Sequence, residues 1–544
     1  MAKKLPLIER AIYALSPAWA ARRDRARATM ALSGGYVGAG YSERFSYWQP
    51  GVADADGDIT RDLRELRARS RDLARNAPIA VGAIETQVTH VVGTGLALQS
   101  RIDADLLGLS DDEASAWQSS TEREFRMWAA SLYADATNEQ TFYELQDLAF
   151  RSHLESGDSF AILAGVNRPG WPYRLAVQII EADRVTNPKW AADTDTLLQG
   201  IERNESGAPI AVHVADRHPG RQVATKDIKW TRVPIRGTSG RLNVLHLKRK
   251  LRPGQTRGVP ALAPIIAVLK QLDRYSTAEV DAAVNSAAMA VFVKMDPETF
   301  QDVFDDAAQQ GILSQAKSWD GSLNSGKAVN LLPGESIEAP ALGRPNPNFD
   351  PFMTAVLKQV GMGLGIPYEV LGKHFNSSYS AARAALLDAW RTFRVRRDWL
   401  AARFCQPIYE EWLAEAVAAG RIEAQGFFSD PLVRAAWCGS MWSGDGPGAI
   451  DPLKEANAAG ERMKLGITTL AEEIIAYDGG DWESKHRQRA REVDERVEAG
   501  LEAPVAVPAG GAAMPEDPAE DPTEDPTEDA DPGENVDPTE MPEE

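Results

Sequence analysis

GIPYEVLGKHFNSSYSAARAALLDAWRTFRVRR, residues 365–397, decides how this chain folds. Its second half is helical. No Gly or Pro occurs from Ser378 to Gln406, and Tyr379, Ala382, Leu386, Trp390, Phe393, Leu400 and Phe404 form an apolar stripe at helical spacing. Six arginines occupy the other faces. Of these, Arg391, Arg394, Arg396 and Arg397 are expected to make a solvated or intersubunit ion-pairing face. The first half opens with Gly-Ile-Pro and turns polar, which breaks the chain between two helices. Just upstream, FDPFMTAVLKQVGMGLG (349–365) reads as a helix that ends in glycines.

Further toward the N-terminus the same logic continues. Residues 262–290 form a helical run with Ile266, Leu269, Leu272, Ser276, Val280 and Ala283 on one face, and Pro264 is tolerable only in its first turn. Residues 291–345 are mixed. Between 159 and 250 the pattern changes to short Val/Ile/Leu-rich runs (SFAILAG, YRLAVQIIEADRV, PIAVHVAD, LNVLHLK), separated by Pro-Gly and Gly-Ala-Pro turn signals. This predicts a β-rich unit in an α+β chain. From Thr60, a candidate cap, Leu63, Leu66, Ser70, Leu73 and Ala77 mark a helix, and Pro78 ends it or opens the next. Trp117, Phe125 and Trp128 give a later helix an aromatic face. The LESGDS stretch (154–159) reads as a helix stop and a turn before a strand.

Charge separates the two ends. The 544 residues carry a net charge of −20, of which −16 falls on 498–544 and −4 on the rest. That tail is a Pro-acidic repeat that cannot bury a core and is expected to be disordered. Up to Arg27 the opposite end is basic. GGYVGAGYSERFSYWQPG (34–51) follows, and its Tyr36, Tyr41, Phe45, Tyr47 and Trp48 suit either a disordered leader or an arm that packs on a neighbouring subunit. Glu9 and Arg10 interrupt the first apolar run, so a secretory signal is not expected. No apolar run approaches the ~20 residues that span a bilayer.

Catalytic signals fail on inspection. GSLNSGKA (321–328) approximates a phosphate-binding loop, but Ala328 stands where a hydroxyl must hold magnesium, no strand precedes it and no helix follows. It reads as a glycine-rich surface turn. The seven histidines make no metal-ligand spacing, and His213 and His246 sit in strand-like runs as packing residues. Cys405 and Cys438 are too few for a disulfide framework. No cofactor and no metal are expected. A near-neutral body could still surround nucleic acid if the nucleic acid must slide, because tight phosphate contacts would obstruct movement.

RARSRDLARNAPIAVGAIETQVTHVVGTGL (67–96), LESGDSF (154–160), VQIIEADRV (177–185), PGQTRGVPALAPIIAVLKQLDRY (253–275), the stretch 365–397 and IDPLKEANA (450–458) occur in an order that resembles the lambda-type family of tailed-phage portal proteins. The resemblance implies a non-enzymatic portal fold of wing, stem, clip and crown. About twelve copies would form a ring at one capsid vertex, and double-stranded DNA would be packaged and ejected through it. It also implies partners: terminase, which brings the ATPase, the major capsid protein or scaffold, and head-tail connector proteins, with no membrane. The location would be the virion, with host cytoplasm during assembly. By this reading residues 1–60 are an arm and 61–260 the wing. Residues 261–365 hold two stem helices (about 262–290 and 349–364) around a clip at 291–345. A tunnel loop follows at 366–378, then a long wing helix at 379–429, a crown at 430–500 and the acidic tail at 501–544. Lys373 and His374, the basic side chains of the loop, together with Asn376, would face DNA as a thin belt. The alternatives are another head-assembly protein or a packaging enzyme.

Overall fold

The computed structural model describes residues 50–220, 228–288, 292–295, 335–338, 346–374, 378–447, 452–478 and 482–501, with a few isolated positions besides. The 321–328 stretch, the aromatics at 36–47 and the acidic repeat lie outside these. Two compact units divide at Trp482. The second contributes one described helix, from Trp482 to Glu498.

The first unit opens with α1 (Ala55–Ile59), capped by the Asp54 carboxylate on the Gly57 N–H. Thr60 does not open the next helix as expected. Its hydroxyl donates back to the Asp56 carbonyl and closes α1, so α2 (Leu63–Asn76) begins after Asp62. Pro78 starts α3 (Pro78–Val91) at its first turn, where its missing N–H costs nothing, and Ala77 before it is extended. Ser110 with Glu113 and Thr141 with Glu144 build capping boxes at the starts of α4 (Asp111–Ala129) and α5 (Phe142–Ser156). Each box satisfies orphan N–H groups in both directions.

Strands follow α5. β2 (Asp158–Gly165) is the centre of a three-stranded antiparallel sheet, between β3 (Leu175–Ile180) and β8 (Val244–Lys248). A second antiparallel sheet runs in the order β4 (Leu197–Leu198), β5 (Ile201–Arg203), β6 (Pro209–Ala215), β7 (Trp230–Pro234). Phe160, Ile180, Val185, Ile201, Val212, Val214 and Val244 form the core shared by these strands. The β-rich reading of 159–250 thus resolves into two small sheets.

β1 (Ala97–Ser100) pairs with β11 (Ser440–Ser443), strands more than 300 residues apart in sequence. Residues 440–443 are thereby anchored on the body. Around this pair lies an aromatic core. Phe125 meets Trp412 at 5.0 Å and Tyr409 at 5.6 Å, and Phe142 stacks on Phe404 at 5.8 Å.

α6 (Ile266–Ala288) and α7 (Phe349–Leu364) differ along their lengths. Leu269 and Leu272 on α6, and Val360 and Leu364 on α7, join the core. Beyond Leu272 no described side chain of α6 is buried. There Tyr275 stacks on Phe349 at 5.8 Å and meets Phe352 edge-on at 4.7 Å. Between the helices, β9 (Phe292–Met295) pairs antiparallel with β10 (Glu335–Glu338).

After α7 come the short α8 (Tyr368–Leu371) and the long α9 (Tyr379–Leu400). One π-turn, Ala401–Cys405, joins α9 to α10 (Gln406–Ala418). The helix expected over 379–429 ends at Ala418, because Gly420 adopts φ +69° and stops it. α11 (Pro431–Trp437) packs Trp437 on Trp117 at 4.7 Å, and α12 (Pro452–Lys464) and α13 (Leu470–Asp478) form a hairpin.

Candidate functional site

The segment between α7 and α9 is held at its base, and its described residues past Leu371 are exposed. Gly365 takes φ +68° and donates to the carbonyls of Gly361 and Met362, closing α7. A Cβ on Gly361 would sit 2.4 Å from the Ile366 carbonyl, so only glycine lets the chain fold back this tightly. Ile366, Val370 and Leu371 are buried and pin the segment to the main core. Pro367 sets up the turn into α8. Past Leu371 the chain reaches solvent. Lys373 and His374 are exposed, Lys373 adopts φ +49°, and the His374 N–H donates to the Glu369 carbonyl at 3.1 Å. The positive φ of a lysine is a strained backbone held by these flanking contacts. Asn376 lies outside the described residues.

Two further cations adjoin this loop. Lys358 places its ammonium 5.8 Å from the Tyr368 ring. Arg397 lies over the Trp390 ring at 5.2 Å, and His90 stacks on Phe393 at 4.8 Å. His90 is held below its usual pKa by burial first, then by Arg397 and by Lys373, which places Lys373 within electrostatic reach of α3.

Arg396 and Arg397 do not form the expected solvated face. Arg396 Nη2 donates to the Leu364 carbonyl at 2.7 Å. Arg397 donates to the carbonyls of Val91 (3.0 Å), His90 (2.9 Å) and Asp445 (2.9 Å). Leu364 ends α7 and Val91 ends α3, so each arginine serves a helix C-terminus, where orphan carbonyls and the macrodipole favour a cation. Arg391 and Arg394 do remain exposed.

An ionic cluster that the sequence reading missed lies where α5 passes into β2. Gly157 stops α5 as expected, its N–H donating to the His153 carbonyl at 2.8 Å. Asp158, taken as part of a turn, is fully buried. It accepts from Arg67 Nη2 (2.7 Å), Arg257 Nε (2.6 Å) and the Gly258 N–H (3.1 Å), and pairs with His246 Nε2 at 3.2 Å. Burial alone would raise the Asp158 pKa. Arg257 and then Arg67 outweigh it and hold the carboxyl well below its ordinary range. His246 is pushed down to about 4 by burial, against the pull of Asp158, so its ring is neutral at pH 7. His213 likewise bonds a carboxylate, Glu202, at 2.6 Å. At its outer edge the cluster continues through Asp183, which pairs with Arg67, Arg71 and His218 on the wall of a cavity of about 650 Å³.

This cluster ties several elements together. It joins α2, the start of β2, β8 and the 255–258 loop that leads into α6. Among the described residues, no group of three or more His, Cys, Asp or Glu could hold a metal ion, and no helix is long and apolar enough to cross a membrane.

The sequence matches the family described as phage portal protein, lambda family, over residues 41–397. It is 27% identical over 483 residues to portal protein B of Escherichia phage lambda, covering 85% of this chain and 90% of that protein. The portal protein of Escherichia phage N15 matches with the same identity and coverage. Among solved structures, the neck of a native GTA particle computed with C12 symmetry aligns at TM-score 0.38 and 12% identity, over 75% of this chain and 93% of that one. A chain from the virion of a native gene transfer agent particle aligns at TM-score 0.38 and 14% identity, over 69% and 93%.

Proposed function

This chain belongs to the lambda family of phage portal proteins, and from that membership we propose that about twelve copies close into a ring at one capsid vertex, a channel through which double-stranded DNA is packaged and later ejected. The observation that carries this reading is the family match over residues 41–397, which includes the loop between α7 and α9. In the proposed assembly α6 and α7 are the stem, 291–345 the clip, 61–260 the wing and 430–500 the crown. The far halves of α6 and α7 support it: beyond Leu272 no described side chain of α6 is buried, and Val280, Val284 and Phe352 are exposed apolar side chains, as surfaces for neighbouring copies would be. One head-to-tail interface repeated around an axis closes such a ring.

The loop at 366–378 is then the element that meets DNA. Lys373 and His374, with Asn376 beside them, would set a narrow basic belt in a tunnel whose subunits are otherwise near neutral. A duplex is touched there without being gripped, since each firmly neutralised phosphate adds to the salt-dependent affinity that would hold it still. The channel itself does no chemistry. Terminase docks during packaging and supplies ATP hydrolysis, head-tail connector proteins follow, and the capsid or scaffold seats the ring.

Native mass measurement with negative-stain imaging tests the proposal. A 59.3 kDa chain in twelve copies gives a ring of about 0.7 MDa with a central hole. A purified protein that stays a small closed oligomer in the presence of its capsid partner would overturn it.

A further inference from the structure

The cavity of about 650 Å³ beside Asp183 has the size of a small-molecule site. α2 builds one wall. Arg64, Arg67 and Arg71 follow one another at three and four residues, so they share one face of the helix, and all three line the cavity. The 185–193 segment builds another wall. It contributes the Trp190 indole, which is 43% exposed and stands edge-on to Trp230 at 4.9 Å.

These walls are fixed by their own bonds. Arg67 Nε donates to the Ser156 carbonyl (2.9 Å), and Arg71 Nη2 to the Ser156 hydroxyl (2.9 Å). Asn187 is buried; it accepts from the Gly200 N–H (2.6 Å) and donates to Asp193 (2.8 Å). Asp193 also accepts from the Gln199 N–H (2.9 Å) and Nε2 (2.7 Å). Among the described residues five non-glycines adopt positive φ, and three of them fall here: Lys189 (+55°), Trp190 (+54°) and Gln199 (+48°). Backbone strain of this kind persists only where its surroundings over-determine it, and it gathers at ligand clamps.

Charge and shape narrow the ligand. Four guanidiniums line the cavity, from Arg64, Arg67, Arg71 and Arg257, against the carboxylates of Asp183 and Asp193. Asp158, buried behind them, offsets a third cation, so one positive charge is left over. The carboxylates are already engaged. Asp183 serves Arg67, Arg71 and His218, Asp193 serves the loop, and Asp158 serves Arg67 and Arg257. Arg64 carries the surplus. It is exposed and has no hydrogen-bond or ion-pair partner among the described residues. A guanidinium fork matches the geometry of a phosphate, and an indole face takes a flat ring by stacking.

We propose that this cavity binds a nucleotide, with its base stacked on Trp190 and its phosphate held by Arg64. The nucleotide is either free or part of a nucleic acid strand. The site is built within one chain, so it stands or falls apart from the ring reading.

Calorimetric titration of the full-length protein tests it, with dAMP, deoxyadenosine, inorganic phosphate and oligo(dA) as probes. dAMP is expected to bind, and deoxyadenosine and phosphate each to bind at least tenfold more weakly. Trp190→Ala and Arg64→Gln are each expected to weaken dAMP about tenfold with unchanged circular dichroism. Trp190→Phe should restore most of the affinity, and Arg64→Gln should leave deoxyadenosine binding as it was. Oligo(dA) that binds more tightly than dAMP, and weakens in the same variants, assigns the ligand to a strand; oligo(dA) that binds no more tightly assigns it to a free nucleotide. No heat from millimolar dAMP, or dAMP affinity untouched by both variants, overturns the site. Phosphate that binds as tightly as dAMP overturns the stacking on Trp190 and with it the nucleotide.

Discussion

Asp158 shows what one buried carboxylate costs and holds. Two guanidiniums, an imidazole and a backbone N–H converge on it in the interior. Asp158→Asn keeps the shape and removes the charge, leaving Arg67 and Arg257 buried against a neutral amide. The expected loss is about 3–5 kcal/mol, measured as a fall in thermal midpoint of the purified protein. The nearby histidines set the acid limit. His153 and His246 are both lowered to about 4 by burial, from an ordinary 6.5. Below 6.5 the unfolded chain therefore binds protons that the folded chain refuses, and stability falls as pH drops from about 6.5 to about 4. Above about pH 5 Asp158 adds nothing, since it is ionised in both states there; below that its lowered pKa adds to the loss. His153→Gln is expected to flatten the thermal midpoint against pH across this range, and an unchanged slope would refute the assignment. Part of this was legible. Arg67 falls at the i+4 position from Leu63, on the same stripe as Ser70 and Leu73, so a charge on the buried face of α2 was visible in the spacing. Its acceptor was not, because Asp158 is 91 residues away and nothing local distinguishes a buried carboxylate from one in a turn.

At the scale of elements, arginines replace conventional stops. Arg397 closes α3 from α9, three hydrogen bonds deep into a helix end and the 445 segment. Arg397→Ala orphans those carbonyls and is expected to cost about 2–3 kcal/mol, read as earlier proteolytic cleavage after Val91 and a lower thermal midpoint. Arg397→Lys should recover only part, because an ammonium cannot span the same fork. Helix periodicity made α7 readable to its ends, with glycines marking its stop. The π-turn at Ala401–Cys405 left no such mark, since the residues around it are ordinary helix formers. The pairing of β1 with β11 was also hidden. Both strands are four residues long, too short for alternation to be distinctive, and their partnership is decided by the tertiary fold.

For the whole molecule, repetition changes what small features mean. One Lys373 and one His374 are a minor surface charge, but a ring places a copy of each at every subunit around the channel. Lys373→Ala/His374→Ala is expected to leave ring assembly intact and to alter the amount of DNA packaged or retained, measured by genome yield in a complementation assay. Yield equal to the parent would sink the belt. The family itself was legible in the order of motifs, whereas the placement of the loop's base depended on how Ile366, Val370 and Leu371 anchor it. The junction beneath the Asp158 cluster bears on how the assembly would carry load. A Cβ on Gly258 would lie 1.9 Å from the Gly157 carbonyl, so the 255–258 strap that leads into α6 touches the end of α5 backbone to backbone, with the Asp158 cluster clamped around the junction. No side chain is interposed there to act as a cushion. If α6 serves as the proposed stem, a pull on it would pass undamped into the sheet centred on β2, and α6 would behave as a lever welded to its fulcrum.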